Sequence, residues 1–301
     1  MTPPTDLQGR GAIVTGAGKG LGRAYALHLA ARGAKVLVNN RRHAGESDAQ
    51  TSAAQTVAAI RAAGGVADAN WSDVNDPQSG SALVQQALES FGALDIVVAN
   101  AGADQPTAFH KQSLADFRAI FDTSFFGNLH LAHAAWPHLL QQGYGRMVLT
   151  ASSAGLHANH GQSAYSAAKA AVIGLMRALA IEGRRHDMRV NVIAPYGYSQ
   201  MTAPYMRPEM ADSFDPGLVA PLVGWLCSPQ CDVTGEVLVS GAGLVRRAGV
   251  GESDALALLQ GSISDVVHAL QDKTLQGYPS ANDSFARFLA ELAQHSAQTV
   301  P

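Results

Sequence analysis

The sequence predicts an α/β protein built on one doubly wound parallel sheet. Three observations carry this: short β-branched runs alternate with longer Ala-rich stretches, most of the short runs are continuously apolar, and a glycine-rich turn links the first run to the first helix. The strand candidates are residues 11–15, 35–39, 65–70, 94–99, 146–151, 189–193 and 236–240. Unbroken rather than alternating apolar character marks strands buried on both faces. Helical periodicity fills the intervals at 21–32, 49–63, 78–91, 114–141 and 163–185. Strand–helix–strand repetition of this kind implies right-handed crossovers and a parallel sheet. From Val250 the chain turns Ala-rich and polar, and predicts one or two helices, at 254–271 and 282–295. The expected layout is therefore one α/β domain over 1–249 and a helical extension over 250–301, packed on the core or on a partner subunit.

At 301 residues, with 47% hydrophobic and 15% charged residues, the composition is that of an ordinary globular α/β chain with a sizeable core. A net charge of −3 offers no basic field to nucleic acid or an anionic membrane. No apolar run reaches the ~18 residues needed to span a bilayer. Neither MTPPTDLQGR at the start nor AQTVP at the end reads as a targeting signal, so a cytoplasmic location is expected. Cys227 and Cys231 are too few for a disulfide framework and are expected as a reduced packing pair. His130, His133 and His138 lack acidic or thiol companions at ligand spacing, so no metal is expected.

The first strand runs AIVTG into GAGKGLG and then into a helix. Free N–H groups and the dipole at such a helix start favour a pyrophosphate. The spacing is Thr15-Gly16-x-x-x-Gly20-x-Gly22, with Lys19 and Leu21 inside the turn, rather than a strict G-x-G-x-x-G. Three further features follow in order: Asn100-Ala101-Gly102 after the fourth strand, Ser152 after the fifth, and Tyr165-x-x-x-Lys169 opening a helix. A Tyr and a Lys four apart share one helical face. This set, over residues 8–248, resembles the short-chain dehydrogenase/reductase family. VTGAGKGLGRAYALHLAARGA, AYSAAKAAVIGL, APYGYSQMT and APLVGWLC look most like the (3R)-hydroxyacyl-CoA dehydrogenase units of peroxisomal multifunctional enzymes and their bacterial relatives.

The resemblance implies a Rossmann-type fold and hydride transfer between a nicotinamide dinucleotide and a ketone or secondary alcohol, including 3-oxoacyl and 3-hydroxyacyl substrates. It implies that Asp73 and Val74 cover the adenine, that Lys169 bonds the nicotinamide ribose, and that Pro195 and Thr202 join the cofactor site. The substrate loop falls at about 196–216. The long helices 114–141 and 163–185, with small residues Ala167, Ala168, Ala171, Gly174 and Ala178 on one face, would pair across a two-fold axis in a homodimer or homotetramer.

The second strand ends VLVNNRRHAGES. NAD users place an acidic residue here against the ribose 2′-hydroxyl. This chain has Asn40 followed by Arg41 and Arg42, which removes repulsion of a 2′-phosphate and offers it a guanidinium fork. The reading favours NADP(H) over NAD.

Free tyrosine titrates near ~10, and a neighbouring ammonium lowers that value. Tyr165 is therefore the expected proton-transfer group, Lys169 its activator and Ser152 the holder of the substrate oxygen. Where the family commonly carries a relay Asn, this chain has Ser124; Asn128, one turn on, or a water takes that part. Two other readings stay open: a reductase of general hydrophobic, cyclic or steroid ketones, favoured by the absence of a Lys/Arg cluster for CoA phosphates in the substrate loop, and a catalytically silent dinucleotide sensor, which the intact Tyr165 and Lys169 oppose.

Overall fold

The structure, a computed structural model, describes residues 5–257 and 262–299, with side chains as far as Gln294. These residues divide into two compact units, one up to Arg247 and one from Ala248 onward. The strands are β1 (Gly11–Val14), β2 (Lys35–Asn39), β3 (Val66–Asn70), β4 (Ile96–Ala99), β5 (Tyr144–Thr150), β6 (Asp187–Pro195), β7 (Val237–Gly241) and β8 (Leu244–Ala248). They form one sheet in the order β3-β2-β1-β4-β5-β6-β7-β8, and all pairings from β3 through β7 are parallel. The strand order reverses between β1 and β4, where Ala12 stands beside both Val36 and Ile96. A crevice at the carboxyl ends of strands forms at such a switch point, and ligands bind there.

Helices α1 (Gly20–Ala31), α2 (Ser52–Ala62) and α8 (Ala220–Leu226) cover Val14, Val36, Val38, Ile96, Val98, Val148 and Ile193 on one face of the sheet. Ile13, Leu37, Val97, Met147, Leu149 and Val192 alternate with these and are equally buried. The helices α3 (Ser79–Phe91), α5 (Gly127–Gln142) and α7 (Ser163–Glu182) pack on strands β1, β4 and β5. Burial on both sides is why these strands read as unbroken apolar runs. β3 (VADAN) is the exception: it ends the sheet, and its Val66 and Asp68 are not buried. Cys227 and Cys231 are free thiols inside the core.

Several sequence expectations need correction. The helix expected over 114–141 is three pieces: α4 (Leu114–Phe121), a π-helical turn (Asp122–Phe126) and α5. Residues 49–63 begin with a short 3-10 turn, because the Thr51 hydroxyl accepts the Ala54 N–H at 3.2 Å and starts α2 only at Ser52. The short α6 (Ser153–His157) and the eighth strand are not among the expected elements, whereas α8 ends just before Cys227, where LVGWLCSPQC reads as a helix end. β8 (LVRRA) is exposed along almost its whole length, so it carries no apolar signal. Its connection to β7 is Ala242-Gly243, both at positive φ (52° and 71°), as a two-residue hairpin demands.

Against expectation, α7 with its 3-10 end (Ser163–Arg185) is long and apolar enough to cross a membrane. Its inner residues, from Ala164 through Lys169 and Val172 to Ala180, are buried, as in a core helix. Ala168 belongs to that inner face, so the small outer stripe reduces to Ala167, Gly174 and Ala178, which are exposed, and a half-buried Ala171.

In the second unit, a bridge pairs Glu252 with Gln276 and the helices are α9 (Ile263–Gln271) and α10 (Ala281–Thr299). The helix expected from 254 starts at Ile263 instead, because Ser262 caps it by accepting the Asp265 N–H at 3.2 Å; residues 258–261 lie outside the described chain. Arg287 of α10 bonds both Asp254 (3.0 Å) and Glu291 (2.9 Å).

Candidate active site

At the switch point one hydroxyl ties two strand ends together. Thr15 Oγ1 accepts the backbone N–H groups of Asn100 (3.0 Å) and Ala101 (3.1 Å), and the Asn100 amide donates back to Thr15 O at 3.0 Å. The glycine turn follows directly. Gly16 and Gly20 have φ of +62° and +53°. A side chain at Gly22 would strike Gly16 O, and one at Gly18 would strike Ser52 Oγ. Only glycine fits these positions. Lys19 occupies the cap of α1 without capping it through its side chain, so its side chain leaves the first-turn N–H groups unclaimed. Leu21 packs instead on Gly197, where an added Cβ would come within 2.9 Å of it. Side-chain-free backbone and uncapped donors fit a pyrophosphate held by main chain alone.

The residues expected at the adenosine end gather around Gly18, where an added Cβ would meet Ser52 Oγ and Asn40 Cγ. Asn40 Nδ2 donates to Ser52 Oγ at 3.1 Å. The two arginines beyond it differ. Arg42 is engaged, with its guanidinium 2.5 Å from Asp48 and 4.8 Å above the Trp71 ring. Arg41 is exposed and has no ion pair among the described residues. Asp73 is exposed and accepts the Asn75 N–H at 3.0 Å, whereas Val74 is buried against Gly127, with its carbonyl 3.0 Å from His130 Nδ1. On the opposite wall Pro195 ends β6 beside Ser240. Thr202 laces the following loop, donating to Gly197 O at 2.6 Å and accepting the Ser199 N–H at 2.8 Å.

The three residues expected to handle protons come from adjoining elements. Ser152 follows β5 and caps α6, its hydroxyl accepting the Ala154 N–H at 3.1 Å. Tyr165 and Lys169 stand one turn apart at the start of α7, with the ammonium 5.7 Å from the phenol ring centre. Lys169 is fully buried; it donates to Thr150 O at 2.7 Å, and a Cβ on Gly102 would come within 3.3 Å of its Nζ. Burial lowers its pKa to about 8. Tyr165 is pushed up to about 12, chiefly by burial, with the Ser152 hydroxyl pulling the other way and the Asp104 charge adding to the rise. The expectation of a phenol lowered by the ammonium is thus reversed in the chain by itself, because burial outweighs everything else.

Ser124 does not stand open for a relay. Its hydroxyl donates to Ala103 O at 2.8 Å and accepts Ala103 N–H at 3.1 Å, from within the π turn. Asn128 donates to Ser124 O at 2.8 Å, and its own side-chain carbonyl oxygen is buried without a partner among the described residues. Three residues at this site escaped the sequence reading: Thr15 as a strand clamp, Gln162, and Asp104, whose carboxylate accepts a bond from the Gln162 amide. Asp104 carried one usable signal, a carboxylate two residues beyond the NAG turn.

The profile described as short chain dehydrogenase matches residues 10–209. A short-chain type dehydrogenase/reductase of Mycobacterium tuberculosis is 40% identical over 250 residues, covering 82% of this chain and 87% of its own length. The peroxisomal multifunctional enzyme type 2 of Mus musculus is 41% identical over 249 residues, again 82% of this chain but only 34% of the mouse enzyme. The crystal structure of a short chain dehydrogenase from Mycobacterium avium superposes with a TM-score of 0.80 at 35% identity, covering 91% of this chain and 98% of that one. Sequence, fold and switch-point architecture converge, and the chain belongs to the short-chain dehydrogenase/reductase family, oxidoreductases that work with a nicotinamide dinucleotide.

Proposed function

We propose that the protein interconverts 3-oxoacyl and 3-hydroxyacyl thioesters with NADP(H), as a homo-oligomer. The observation that carries this is the convergence of Ser152, Tyr165 and Lys169 in a fold whose first strand ends in a turn that only glycines fit. When bound, the nicotinamide supplies or accepts the hydride. Tyr165, fully protonated at neutral pH with a phenol near 12, donates its proton to the carbonyl oxygen during reduction. Ser152 holds that same oxygen and polarises it. Lys169 stands by the phenolate left behind, and a buried ammonium with a pKa near 8 is held ready to lose or share its proton at working pH. The thioester reading rests on the likeness of the glycine turn, the YSAAK helix and the PYGYSQMT loop to hydroxyacyl-CoA dehydrogenase units.

The NADP(H) preference rests on Arg41, exposed just beyond β2 and without an ion pair among the described residues, and on Asn40, which has no carboxylate to repel a phosphate. Initial rates for a 3-oxoacyl thioester and a matched plain ketone, each with NADPH and with NADH, test both parts. The expected result is a higher kcat/KM for the thioester and at least a tenfold preference for NADPH. A plain ketone used as well as the thioester overturns the substrate assignment, and equal use of both cofactors overturns the cofactor assignment.

A further inference from the structure

Asp104 lies in the segment between β4 and α4, and that segment is fixed at several points. Ser124 bonds both the N–H and the carbonyl of Ala103. Thr107 N–H donates to Gly161 O at 2.8 Å, joining the segment to the chain just ahead of α7. The Gln162 amide donates to Asp104 Oδ2, and that amide is oriented in turn because its oxygen accepts Asn159 Nδ2 at 2.9 Å. Gln162 precedes Tyr165 by three residues, and the Asp104 charge is felt at the phenol. Asp104 Oδ1, by contrast, is buried with no hydrogen bond of proper geometry among the described residues. Burial pushes the carboxyl up, against the pull of the Gln162 amide and the Gln105 N–H.

Burying an acceptor without a partner costs ~1–3 kcal/mol, and more for a charged one. Such an oxygen beside a proton-transfer residue is a candidate for recognition. We infer that Asp104 is a specificity-determining residue, whose unpaired oxygen accepts a hydrogen bond from an N–H or O–H carried by the substrate a few atoms from the reacting carbon. This rests on the reading that Tyr165 is the proton-transfer group. In a thioester substrate the donor comes either from the first amide of a pantetheine-like arm or from a hydroxyl on the acyl chain. A site built to receive such a donor rejects an analogue lacking it, because the acceptor is then left buried and unpaired.

The test uses the intact chain with two matched pairs of substrates. One pair is a 3-oxobutanoyl thioester of N-acetylcysteamine, which has the amide N–H, and its S-butyl counterpart, which has none. The other is a hydroxyketone and the ketone of the same skeleton without the hydroxyl. Each is measured on the wild type, Asp104→Asn and Asp104→Ala. The wild type should favour the donor-bearing member of at least one pair by tenfold or more in kcat/KM, and Asp104→Ala should shrink that preference to about twofold or less. Which pair responds identifies the source of the donor. In Asp104→Asn the pH limb belonging to Tyr165 should move to lower pH, since the charge that raises the phenol is gone. That limb reports only the nearness of the charge, whereas a residue that merely braces the loop would slow every substrate alike and leave the donor preference unchanged. A wild type indifferent to the donor in both pairs, or a preference that survives Asp104→Ala, overturns the inference. Failure to turn over the thioesters alone strikes the substrate reading, not Asp104, because the ketone pair still reports on it.

Discussion

Arg41 and Arg42 are adjacent in sequence and identical in chemistry, yet the fold assigns them different work. Arg42 is engaged by Asp48 and Trp71, while Arg41 keeps its guanidinium in solvent at the end of β2. Charge-assisted hydrogen bonds contribute roughly 1.5–3 kcal/mol, equivalent to a ten- to hundredfold change in affinity. Arg41→Ala should therefore lower kcat/KM with NADPH by at least tenfold and leave NADH use nearly unchanged, whereas Arg42→Ala should affect NADPH several-fold less. Equal losses in both variants would show that the ion pair to Asp48 opens on binding and that the distinction is false. A second residue stores strain. Ala158, between Ser152 and Tyr165, has φ 60° and ψ 171°, a region nearly reserved for glycine. Non-glycine residues held there cost ~1–3 kcal/mol, and glycine gives back ~0.5–1 in unfolded-chain entropy. Ala158→Gly should raise Tm by about 2 °C or more. An unchanged or lower Tm in a thermal melt would mean that the loop relaxes around the alanine. Neither effect is legible in sequence: the arginines differ only through Asp48 and Trp71, which the fold brings to Arg42, and the strain only through a dihedral.

Elements were easier to read than their joints. α7 is legible through Tyr165, Lys169 and its helical periodicity, and its register follows from which residues face the sheet. The 114–142 stretch hid a π turn at Asp122–Phe126, since an added residue in a helix leaves little trace in a hydrophobic period. That turn places Ser124, a fully buried residue, on both backbone groups of Ala103. The hairpin at Ala242-Gly243 and the exposed β8 were silent for another reason: no apolar face is required of an edge strand that buries almost nothing. On the outer side of α7, Ala167, Gly174 and Ala178 recur at helical spacing, and a Cβ on Gly174 would meet nothing within 4 Å. A bare, small-residue stripe lets another helix approach closely, which is the assembly proposed here. Ala178→Arg puts a long charged side chain into that stripe without touching the core of its own chain. Sedimentation should show the wild type as a dimer or tetramer and Ala178→Arg shifted toward monomer, with an unaltered circular dichroism spectrum. A monomeric wild type, or a variant that assembles as before, would remove this surface from the assembly.

At the scale of the whole molecule, the parallel sheet was legible because strands buried on both faces must be apolar, and the switch point because its glycines and the Asn100 turn stand at fixed offsets. What escaped is the set of groups that matter only once distant segments meet, such as Asp104 against Gln162 and Thr15 against Asn100. Lys169 connects this site to the stability of the entire fold. Its ammonium is buried and its pKa falls from 10.5 to about 8. Between those two values the unfolded chain holds a proton that the folded chain has released, so stability rises with pH across that window. The contribution is complete above the unfolded value and is lost as pH falls through the folded one. A tenfold change in proton affinity corresponds to about 1.4 kcal/mol, so charging this site at pH 7 costs about 3 kcal/mol, offset in part by the bond to Thr150 O at 2.7 Å. Lys169→Met keeps the length and apolar stem without the charge. It should abolish turnover and yet unfold at higher urea concentration than the wild type at pH 7, by about 1–2 kcal/mol, with the gap closing as pH rises from 8 to 10.5. Ligand-free protein followed by urea titration at several pH values measures this directly. A difference that stays constant over that range, or a methionine variant less stable at pH 7, would mean that the lysine is accommodated without electrostatic cost, and that the fold gives up no stability to hold its ammonium beside Tyr165.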